Sequence, residues 1–298
     1  MDQDLVVGVD VGGTRIKAVS LRGEEVLDRL AVPSPAGLAS RFAEVVEGVV
    51  AALCDTPSLR PRAVGVVVPG LVDDATGLAI WSANLGWRDL DVPQIVSARL
   101  GIRTTGGHDV RAGLVAEHRF GAAVGVDDVL FVPLGTGLAS ALMVGGHVVS
   151  STPWTGELGH VLVTPDGPTC GCGRAGCLEA IASAGAIGRR WREASGQEGD
   201  AEVVAERVRV GDPVARVVWT EAVDALAMVI APIVAAAGTR RIVIGGGLVN
   251  AGPVLLDPLR EALMSRLPEG VELDVVAAAL GEWAGAIGAA TLAQSLPT

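Results

Sequence analysis

A cluster of cysteine and histidine residues is the first feature of the sequence that could carry out chemistry. Cys170, Cys172 and Cys177 lie within eight positions, and His160 lies ten residues upstream of the first of them. Three thiolates and one imidazole form a closed tetrahedral ligand set, which is how proteins usually hold structural zinc. Free buried cysteines, or a disulfide between two of them, are the alternatives. A Cys-X-Cys disulfide closes a strained ring, and nothing else marks the chain as secreted, so the spacing favours zinc.

Two glutamates flank this predicted metal loop. Glu157 precedes His160, and Glu179 follows Cys177 by two positions. A metal loop fixes the chain segments at its two ends, so these carboxylates are candidates for a rigid, polar site that binds a small molecule. Solvated surface charge is the usual state of a glutamate and is the alternative.

Glycine-rich turns follow predicted strands and could bind phosphate. Residues 5–9 and 16–21 predict a β-hairpin with Gly-Gly-Thr at its tip, residues 12–14. Backbone amides at such a turn can cradle phosphate oxygens, and the nearby Asp10 can hold a magnesium ion through water. For this motif alone, an ordinary hairpin turn is the alternative.

The same layout recurs in the middle of the chain. Residues 129–133 predict a strand, residues 135–137 a Gly-Thr-Gly turn, and residues 141–144 and 147–150 two further strands. Two copies in one chain indicate an internal duplication, and the pair is much more specific than either turn alone.

Apolar residues at helical or strand spacing predict the other elements. The predicted helices cover residues 40–54, 93–100, 182–191, 201–209, 214–237, 255–267 and 282–296. The predicted strands cover residues 63–68, 102–105, 241–244 and 273–277. The strand at 241–244 leads into three glycines, residues 245–247, which would let the backbone approach a flat base closely, although steric reasons alone often place glycines after strands.

The composition excludes several classes of protein. The 298 residues carry a net charge of −11 and are 50% hydrophobic, enough for one large domain or two of moderate size. Such an acidic chain is unsuited to binding nucleic acid or an anionic membrane. The first residues lack the basic start and apolar core of a signal peptide, and the apolar run 225–237 is too short to span a bilayer. We therefore expect a buried helix at 225–237 and a cytoplasmic protein with reduced thiols.

The run Gly-Glu-Leu-Gly-His, followed by Cys-Gly-Cys-Gly-Arg-Ala-Gly-Cys-Leu-Glu, resembles the signature of the ROK family (repressors, open reading frames and sugar kinases). The resemblance covers essentially the whole chain, with five motifs in the expected order. It implies an α/β protein with the actin-like, ribonuclease-H-like fold, in which two domains flank a central cleft. The domains would comprise residues 1–106 with the terminal helix 282–298, and residues 107–281.

The resemblance assigns roles to the metal loop. The ligands of a structural zinc ion would be His160, Cys170, Cys172 and Cys177. Glu157, Glu179 and the second nitrogen of His160 would hydrogen-bond a hexose, because a metal on one imidazole nitrogen fixes the tautomer of the other. Asn84, in an Asn-Leu-Gly-Trp segment, would also contact the sugar, with turn capping as the alternative.

For catalysis the resemblance points to Asp109. ROK kinases typically have Asn-Asp here, at a strand end that enters a helix, and the aspartate is the general base. His108 stands in place of the asparagine, whose amide would bond a sugar hydroxyl beside the reacting one. An imidazole could make that contact in a different geometry, so the preferred sugar stays open.

The implied reaction is transfer of the γ-phosphoryl group of ATP, bound with Mg²⁺, to the 6-hydroxyl of a hexose. N-acetylglucosamine and glucose are the first candidates for the sugar substrate, and the sequence does not distinguish N-acetylmannosamine from them. Polyphosphate as donor would need a basic track that this acidic chain lacks, and a homodimer is expected from the family alone. The nucleotide-binding residues would be Asp10, Gly12, Gly13, Thr14, Arg15 (where lysine is more usual), Lys17, Gly135, Thr136, Gly137, Gly245, Gly246 and Gly247.

Two other functions compete with a kinase. Repressors of the family carry an additional helix-turn-helix domain before the first hairpin, whereas nine residues precede Asp10 here and the charge is strongly negative, so we do not expect a repressor. A catalytically silent sugar-binding or regulatory protein is the second alternative. Asp109 and the two phosphate turns argue against it, and the departure at His108 leaves it open.

Overall fold

The structure, a computed structural model, describes residues 5–54, 60–82 and 85–297. The strands are β1 (Leu5–Val11), β2 (Arg15–Arg22), β3 (Glu25–Pro33), β4 (Ala63–Val68), β5 (Leu71–Asp73), β6 (Leu78–Trp81), β7 (Arg88–Asp91), β8 (Arg103–His108), β9 (Val129–Pro133), β10 (Ala141–Val144), β11 (His147–Val148), β12 (Arg241–Gly245) and β13 (Asp274–Ala277). The helices are α1 (Phe42–Leu53), α2 (Val92–Leu100), α3 (Asp109–Phe120), α4 (Glu179–Ala182), α5 (Ala184–Ser195), α6 (Ala201–Arg209), α7 (Pro213–Ala237), α8 (Pro253–Met264) and α9 (Ala284–Gln294).

The chain divides into two compact units. The first runs to Gly121 and also contains Ser150–Thr155 and the chain from Glu282 onward, and the second contains Ala122–Val149 and Gly156–Gly281. The first unit thus includes all of β8 and α3, whereas the sequence predicted a boundary at residue 106. The reason is close packing of α3 on α9: a Cβ atom added at Gly288 would lie 2.0 Å from the carbonyl oxygen of Ala112.

The main sheet of the first unit has the strand order β3-β2-β1-β4-β8. Strands β1, β2 and β3 are antiparallel neighbours, whereas β1, β4 and β8 run parallel. Helix α9 packs directly on this sheet, because a Cβ atom added at Gly65 would lie 1.8 Å from the carbonyl oxygen of Ala289. Because β1, β4 and β8 run parallel, their carboxyl ends lie at one edge of the sheet.

The second unit repeats this topology. Its sheet has the order β11-β10-β9-β12-β13, with β9, β10 and β11 antiparallel and β9, β12 and β13 parallel. Each unit therefore contains three antiparallel strands followed by two parallel ones, with a glycine turn after the first strand. This confirms the duplication predicted from the two strand-turn-strand copies.

Helix α7 forms much of the core of the second unit. Of the described residues it is the one helix long and apolar enough to cross a membrane, yet 61% of its most apolar window is buried inside the protein. Val223, Leu226 and Ile230 are at most 4% exposed. The buried helix predicted at 225–237 is confirmed as the carboxyl-terminal half of α7, which continues through Pro232.

A small antiparallel sheet in the first unit, β5-β6-β7, was not predicted. Its strands are only three or four residues long, too short to show a clear alternation of apolar residues. The turn between β5 and β6 lies against β8: a Cβ atom added at Gly77 would be 2.9 Å from the Cα atom of Gly106. The small sheet thereby places Asp74, in that turn, beside the strand that leads to Asp109.

The predicted helix at 182–191 corresponds to α5, and the short helix α4 before it was not predicted. Helix α4 ends at Ala182, and Ser183 begins α5 by accepting a hydrogen bond from the backbone amide of Ala186 with its hydroxyl oxygen. A serine at this position satisfies one of the amides that a helix start leaves unpaired, so it favours a new helix over a continuous one.

Candidate active site

Asp10 and Asp109 occupy the same edge of the first unit's sheet. Asp10 lies near the carboxyl end of β1, and Asp109 is the first residue of α3, directly after the carboxyl end of β8. Since β4 lies between these strands and runs parallel to both, the two carboxylates come from the same end of the sheet. Two carboxylates at one sheet edge are donors suited to a hard divalent cation such as Mg²⁺.

The environment of Asp10 disfavours the charged form of its carboxyl group. Burial raises the pKa of Asp10 to about 7, and the negative charge of Asp109 adds to the rise, whereas the ammonium group of Lys17 lowers it. Lys17 lies opposite Asp10 in the β1–β2 register. Part of the Asp10 surface is accessible, so its carboxylate can still meet a ligand. A cation bound here would relieve the repulsion between the two aspartates.

His108 caps the helix that Asp109 begins. Its Nδ1 atom accepts hydrogen bonds from the backbone amides of Val110, at 3.2 Å, and Arg111, at 3.4 Å. The side chain is 4% exposed, and burial lowers the pKa of His108. Because Nδ1 accepts these two amides, any sugar contact from this imidazole would have to come from Nε2.

The first glycine turn is an exposed hairpin tip, as predicted. The backbone amide of Gly12 donates to the carbonyl oxygen of Arg15 at 3.1 Å. Ser34 steadies the turn by donating its hydroxyl to the carbonyl oxygen of Gly12 at 2.6 Å. Gly13 and Thr14 are exposed, so their backbone is open to a ligand.

Two basic side chains beside this tip share one acidic partner. Glu282 lies 3.6 Å from a guanidinium nitrogen of Arg15 and 3.7 Å from the ammonium nitrogen of Lys17. Both are exposed or partly exposed pairs, so each ion pair is weak and an incoming phosphate can replace it.

The second glycine turn, residues 134–138, is tied to the carboxylate of Glu179. The backbone amide of Leu138 donates to Glu179 Oε2 at 2.9 Å. The other oxygen, Oε1, lies 3.7 Å from the Sγ atom of Cys170. Glu179 therefore joins the turn, the cysteine loop and the start of α4, a link that spacing in the sequence could not reveal.

The third glycine run meets the second turn. Gly246 has a φ of 74°, and a Cβ atom added there would lie 2.4 Å from the carbonyl oxygen of Leu134. A Cβ atom added at Gly245 would lie 2.9 Å from the ring of Phe131. A Cβ atom added at Gly247 would have no other atom within 4 Å. Steric reasons thus explain Gly245 and Gly246, and Gly247 faces open space.

That open space is a cavity of about 620 Å³ inside the second unit. Thr136 of the second turn and Gly247 both line this cavity. The cavity is large enough for a nucleoside. Its charged wall consists of Asp200, Glu202, Glu206 and Arg209. The sequence analysis missed these four residues because helical surface charges carry no signal of their own.

The predicted metal ligands come together in the second unit. The four ligand atoms of His160, Cys170, Cys172 and Cys177 lie within 4.8 Å of one another. The Sγ atoms of Cys172 and Cys177 are 3.7 Å apart, and Cys170 Sγ is 3.6 Å from His160 Nδ1. Zinc bonds of about 2.3 Å to sulfur and about 2.0 Å to nitrogen give tetrahedral edges of about 3.8 and 3.6 Å, so the residues fit a zinc ion.

Burial and hydrogen bonds shift the pKa values of the thiols in this cluster in different directions. Burial raises the pKa of Cys170 to about 12, and it also raises the pKa of Cys177. The backbone amide of Arg174 lowers the pKa of the exposed Cys172 to about 7. Three thiolates so close together require a cation, which is what a metal ion would supply.

The second nitrogen of His160 points toward Glu157. Its Nε2 atom lies 3.7 Å from Glu157 Oε2, whereas its Nδ1 atom faces Cys170. One imidazole thus lies between the predicted metal ligands and one of the predicted sugar-binding carboxylates.

The predicted site residues divide between the two units. The first unit holds Asp10, His108, Asp109, Lys17 and the first turn, and the second holds the metal cluster, Glu157, Glu179 and the other two glycine turns. Asn84 lies outside the described residues. In addition, the structure reveals an ion pair near the start of α3, formed by the buried Arg111 and the half-buried Asp74, that the sequence analysis missed.

The chain is similar to known sugar kinases along its whole length. A model of the ROK family matches residues 6–296. A glucokinase of Thermotoga maritima is 32% identical over 312 residues, which cover 96% of each chain. An N-acetylmannosamine kinase of Escherichia fergusonii is 31% identical over 293 residues, with 97% of this chain and 98% of that one covered. The crystal structure of a ROK family glucokinase from Streptomyces griseus, in complex with glucose and AMPPNP, superposes with a TM-score of 0.85 at 30% identity and covers 98% of this chain and 100% of that one.

Proposed function

The chain belongs to the ROK family, and on that premise we propose that it is an ATP-dependent sugar kinase that phosphorylates the 6-hydroxyl of a hexose. Its fold is the actin-like α/β fold of ROK sugar kinases, as expected from the sequence. The observation that carries the proposal is the pair of carboxylates, Asp10 and Asp109, at one edge of the first unit's sheet.

Asp109 would act as the general base. Its carboxylate accepts the proton of the 6-hydroxyl while that oxygen bonds to the γ-phosphorus and the bond to the β-phosphate oxygen breaks, which releases ADP. A base of this kind contributes about 10²–10⁴-fold in rate, and phosphoryl transfer depends mainly on positioning and charge stabilisation. Mg²⁺, held through Asp10, would neutralise charge on the phosphates.

The ATP would be held by the glycine turns and the cavity of the second unit. Exposed backbone amides at Gly13 and Thr14, with Arg15 and Lys17 beside them, suit phosphate oxygens. The cavity beside Thr136 and Gly247 suits the nucleoside, because its carboxylates can accept hydrogen bonds from ribose hydroxyls and base amines.

The hexose would be read by Glu157, His160 and Glu179, with a structural zinc ion fixing the histidine and the loop. His108 Nε2 and Asn84 complete the set of proposed sugar contacts. Glucose is the first sugar to test, because the similar relatives include glucokinases, and N-acetylmannosamine and N-acetylglucosamine follow. A homodimer stays a prediction from the family, and a cytoplasmic location stays a prediction from the sequence.

The proposal is tested by ADP release from Mg-ATP with a panel of hexoses and N-acetylhexosamines. We expect turnover of at least one sugar and a loss of about 10²–10⁴-fold in kcat for Asp109→Ala. Asp28→Ala, which removes an exposed aspartate on β3 of the same unit, should keep full activity.

The alternative is a catalytically silent sugar-binding protein. The observation in its favour is that His108 Nδ1 accepts hydrogen bonds from the backbone of α3 and is therefore not available to a sugar. A wild-type protein that binds a hexose in calorimetry but releases no more ADP than Asp109→Ala would establish that alternative.

A further inference from the structure

A buried arginine stands two residues after Asp109. Arg111 lies in the first turn of α3 and is 3% exposed. Its Nε atom donates to Asp74 Oδ2 at 2.5 Å, and its Nη2 atom donates to Asp74 Oδ1 at 3.1 Å and to the carbonyl oxygen of Val72 at 2.8 Å. All three atoms of the guanidinium fork are used, because Nη1 donates to the carbonyl oxygen of Thr155 at 3.1 Å.

Asp74 connects this arginine to the backbone at the start of α3. Its Oδ1 atom accepts the backbone amide of His108 at 3.1 Å, in addition to the bond from Arg111. His108 in turn caps α3 through Nδ1. A continuous set of hydrogen bonds therefore fixes the amide of His108 before Asp109 and the amides of Val110 and Arg111 after it.

Thr155 brings a third segment into the network. Residues 150–155 belong to the first unit, and the chain passes into the second unit directly after Thr155. Glu157 follows two positions later in the sequence. The bond from Arg111 thus fixes the last residue of the first unit before the chain reaches a proposed sugar-binding carboxylate.

Stability alone is a weak reason for a charged pair in this place. Burying two charges costs free energy, and apolar side chains of similar volume often replace buried ion pairs without loss of stability. Apolar packing cannot supply direction, whereas a guanidinium fork fixes its acceptors in one plane. Here one of those acceptors, Asp74, also accepts the backbone amide of His108, the residue before the proposed base.

We propose that Arg111, together with Asp74, is a positioning residue that holds the β8–α3 junction so that the carboxylate of Asp109 points at the acceptor hydroxyl. This inference rests on the proposed function, and it extends it to residues that do not touch the substrates. A displacement of about 1 Å at a reacting group can cost about 10²-fold in rate, so loss of the fork should appear in kcat.

The test compares Arg111→Lys in two backgrounds. Lysine keeps the charge and loses the fork, so we expect kcat to fall about 10–100-fold while the KM for Mg-ATP changes less than about threefold. In the Asp109→Asn background the same change should cost less than about threefold, because there is no base left to position. Arg119→Lys is the matched control: Arg119 lies on the same helix, is 36% exposed and should change kcat by less than about twofold.

Hydrogen exchange gives a readout that does not depend on activity. In Arg111→Lys the amide of His108, bonded to Asp74, should exchange faster than in the wild type, whereas Arg119→Lys should not change it. Equal losses of kcat with and without Asp109 would assign Arg111 a purely structural role and overturn the proposal, as would unchanged exchange at His108. A wild type that is inert with every sugar would refute the kinase itself, and exchange would still decide whether Arg111 holds the junction.

Discussion

His108 accepts hydrogen bonds from two backbone amides at the start of α3 with its Nδ1 atom. The sequence analysis interpreted His108 as a sugar contact, in which the imidazole takes the place of the usual asparagine side chain. The structure adds a second role, because asparagine and histidine can both cap a helix with a side-chain acceptor. The same residue can therefore hold the helix with one ring atom and leave only Nε2 for a ligand.

Replacement of His108 separates these two roles. In His108→Ala the cap is lost, whereas the side-chain oxygen of His108→Asn can accept the same amides, so we expect the asparagine variant to be more stable than the alanine variant by about 1 kcal/mol. In a chain of this size that difference corresponds to about 2–4 °C in Tm. Thermal unfolding of both variants measures it.

The sugar preference of the asparagine variant is measured in the same experiment. If Nε2 contacts the sugar, His108→Asn should change the ratio of kcat/KM between glucose and the N-acetylhexosamines. Alanine and asparagine variants with the same Tm would show that Nδ1 contributes nothing as a cap, and an unchanged ratio would remove His108 from the sugar site.

At the scale of elements, the loop from His160 to Glu179 contains the four proposed metal ligands. Arg174 holds the loop by donating to the carbonyl oxygen of His160 at 2.6 Å, and Glu179 at its end accepts the amide of Leu138. The loop has little apolar core of its own: its buried cluster consists of Cys170, Cys177 and Ala180. A bound ion would therefore contribute much of the free energy that orders it.

Loss of one metal ligand should disorder both ends of this loop. We expect wild-type protein to contain about one zinc ion per chain and Cys172→Ser to contain much less, with a lower Tm and a KM for the sugar raised by at least about tenfold. Elemental analysis, thermal unfolding and steady-state kinetics measure these effects. Cys54→Ser removes the one cysteine outside the cluster and should keep zinc and KM unchanged. A full zinc content in Cys172→Ser would contradict the assignment of this ligand.

Elements with a strong local signal could be predicted from the sequence. Strands that end in glycine turns occur twice in the sequence, and their repetition predicts the duplicated sheet. The metal cluster followed from spacing alone, because its ligands lie close together in the chain. Local sequence determines such features, so sequence patterns reveal them.

Features made by distant segments could not be predicted in this way. The pairing of Arg111 with Asp74 joins residues 37 positions apart, and its bond to Thr155 spans 44. The boundary between the units depends on the packing of α3 against α9, two helices that lie far apart in the sequence. No periodicity in the sequence reports such contacts, which explains why the predicted boundary at residue 106 differs from the observed one.

At the scale of the whole molecule, a net charge of −11 must coexist with binding of a triphosphate. The chain has a single lysine, Lys17, and it lies beside the first glycine turn. Two basic side chains, Arg15 and Lys17, thus lie beside the turn where phosphates are expected, whereas the cavity of the second unit has three carboxylates and one guanidinium in its wall. A nucleoside is neutral and tolerates that wall, but a long polyanion would be repelled by it.

This distribution predicts the choice of phosphoryl donor. We expect wild-type protein to use polyphosphate at least about tenfold less efficiently than ATP in kcat/KM, because each like charge at contact distance costs on the order of 1 kcal/mol. In the double variant Glu202→Gln/Glu206→Gln the ratio should shift toward polyphosphate by about threefold or more. Glu193→Gln/Glu269→Gln removes the same charge from exposed positions outside the cavity wall and should leave the ratio unchanged. Equal shifts in both double variants would mean that net charge, and not the cavity wall, selects the donor.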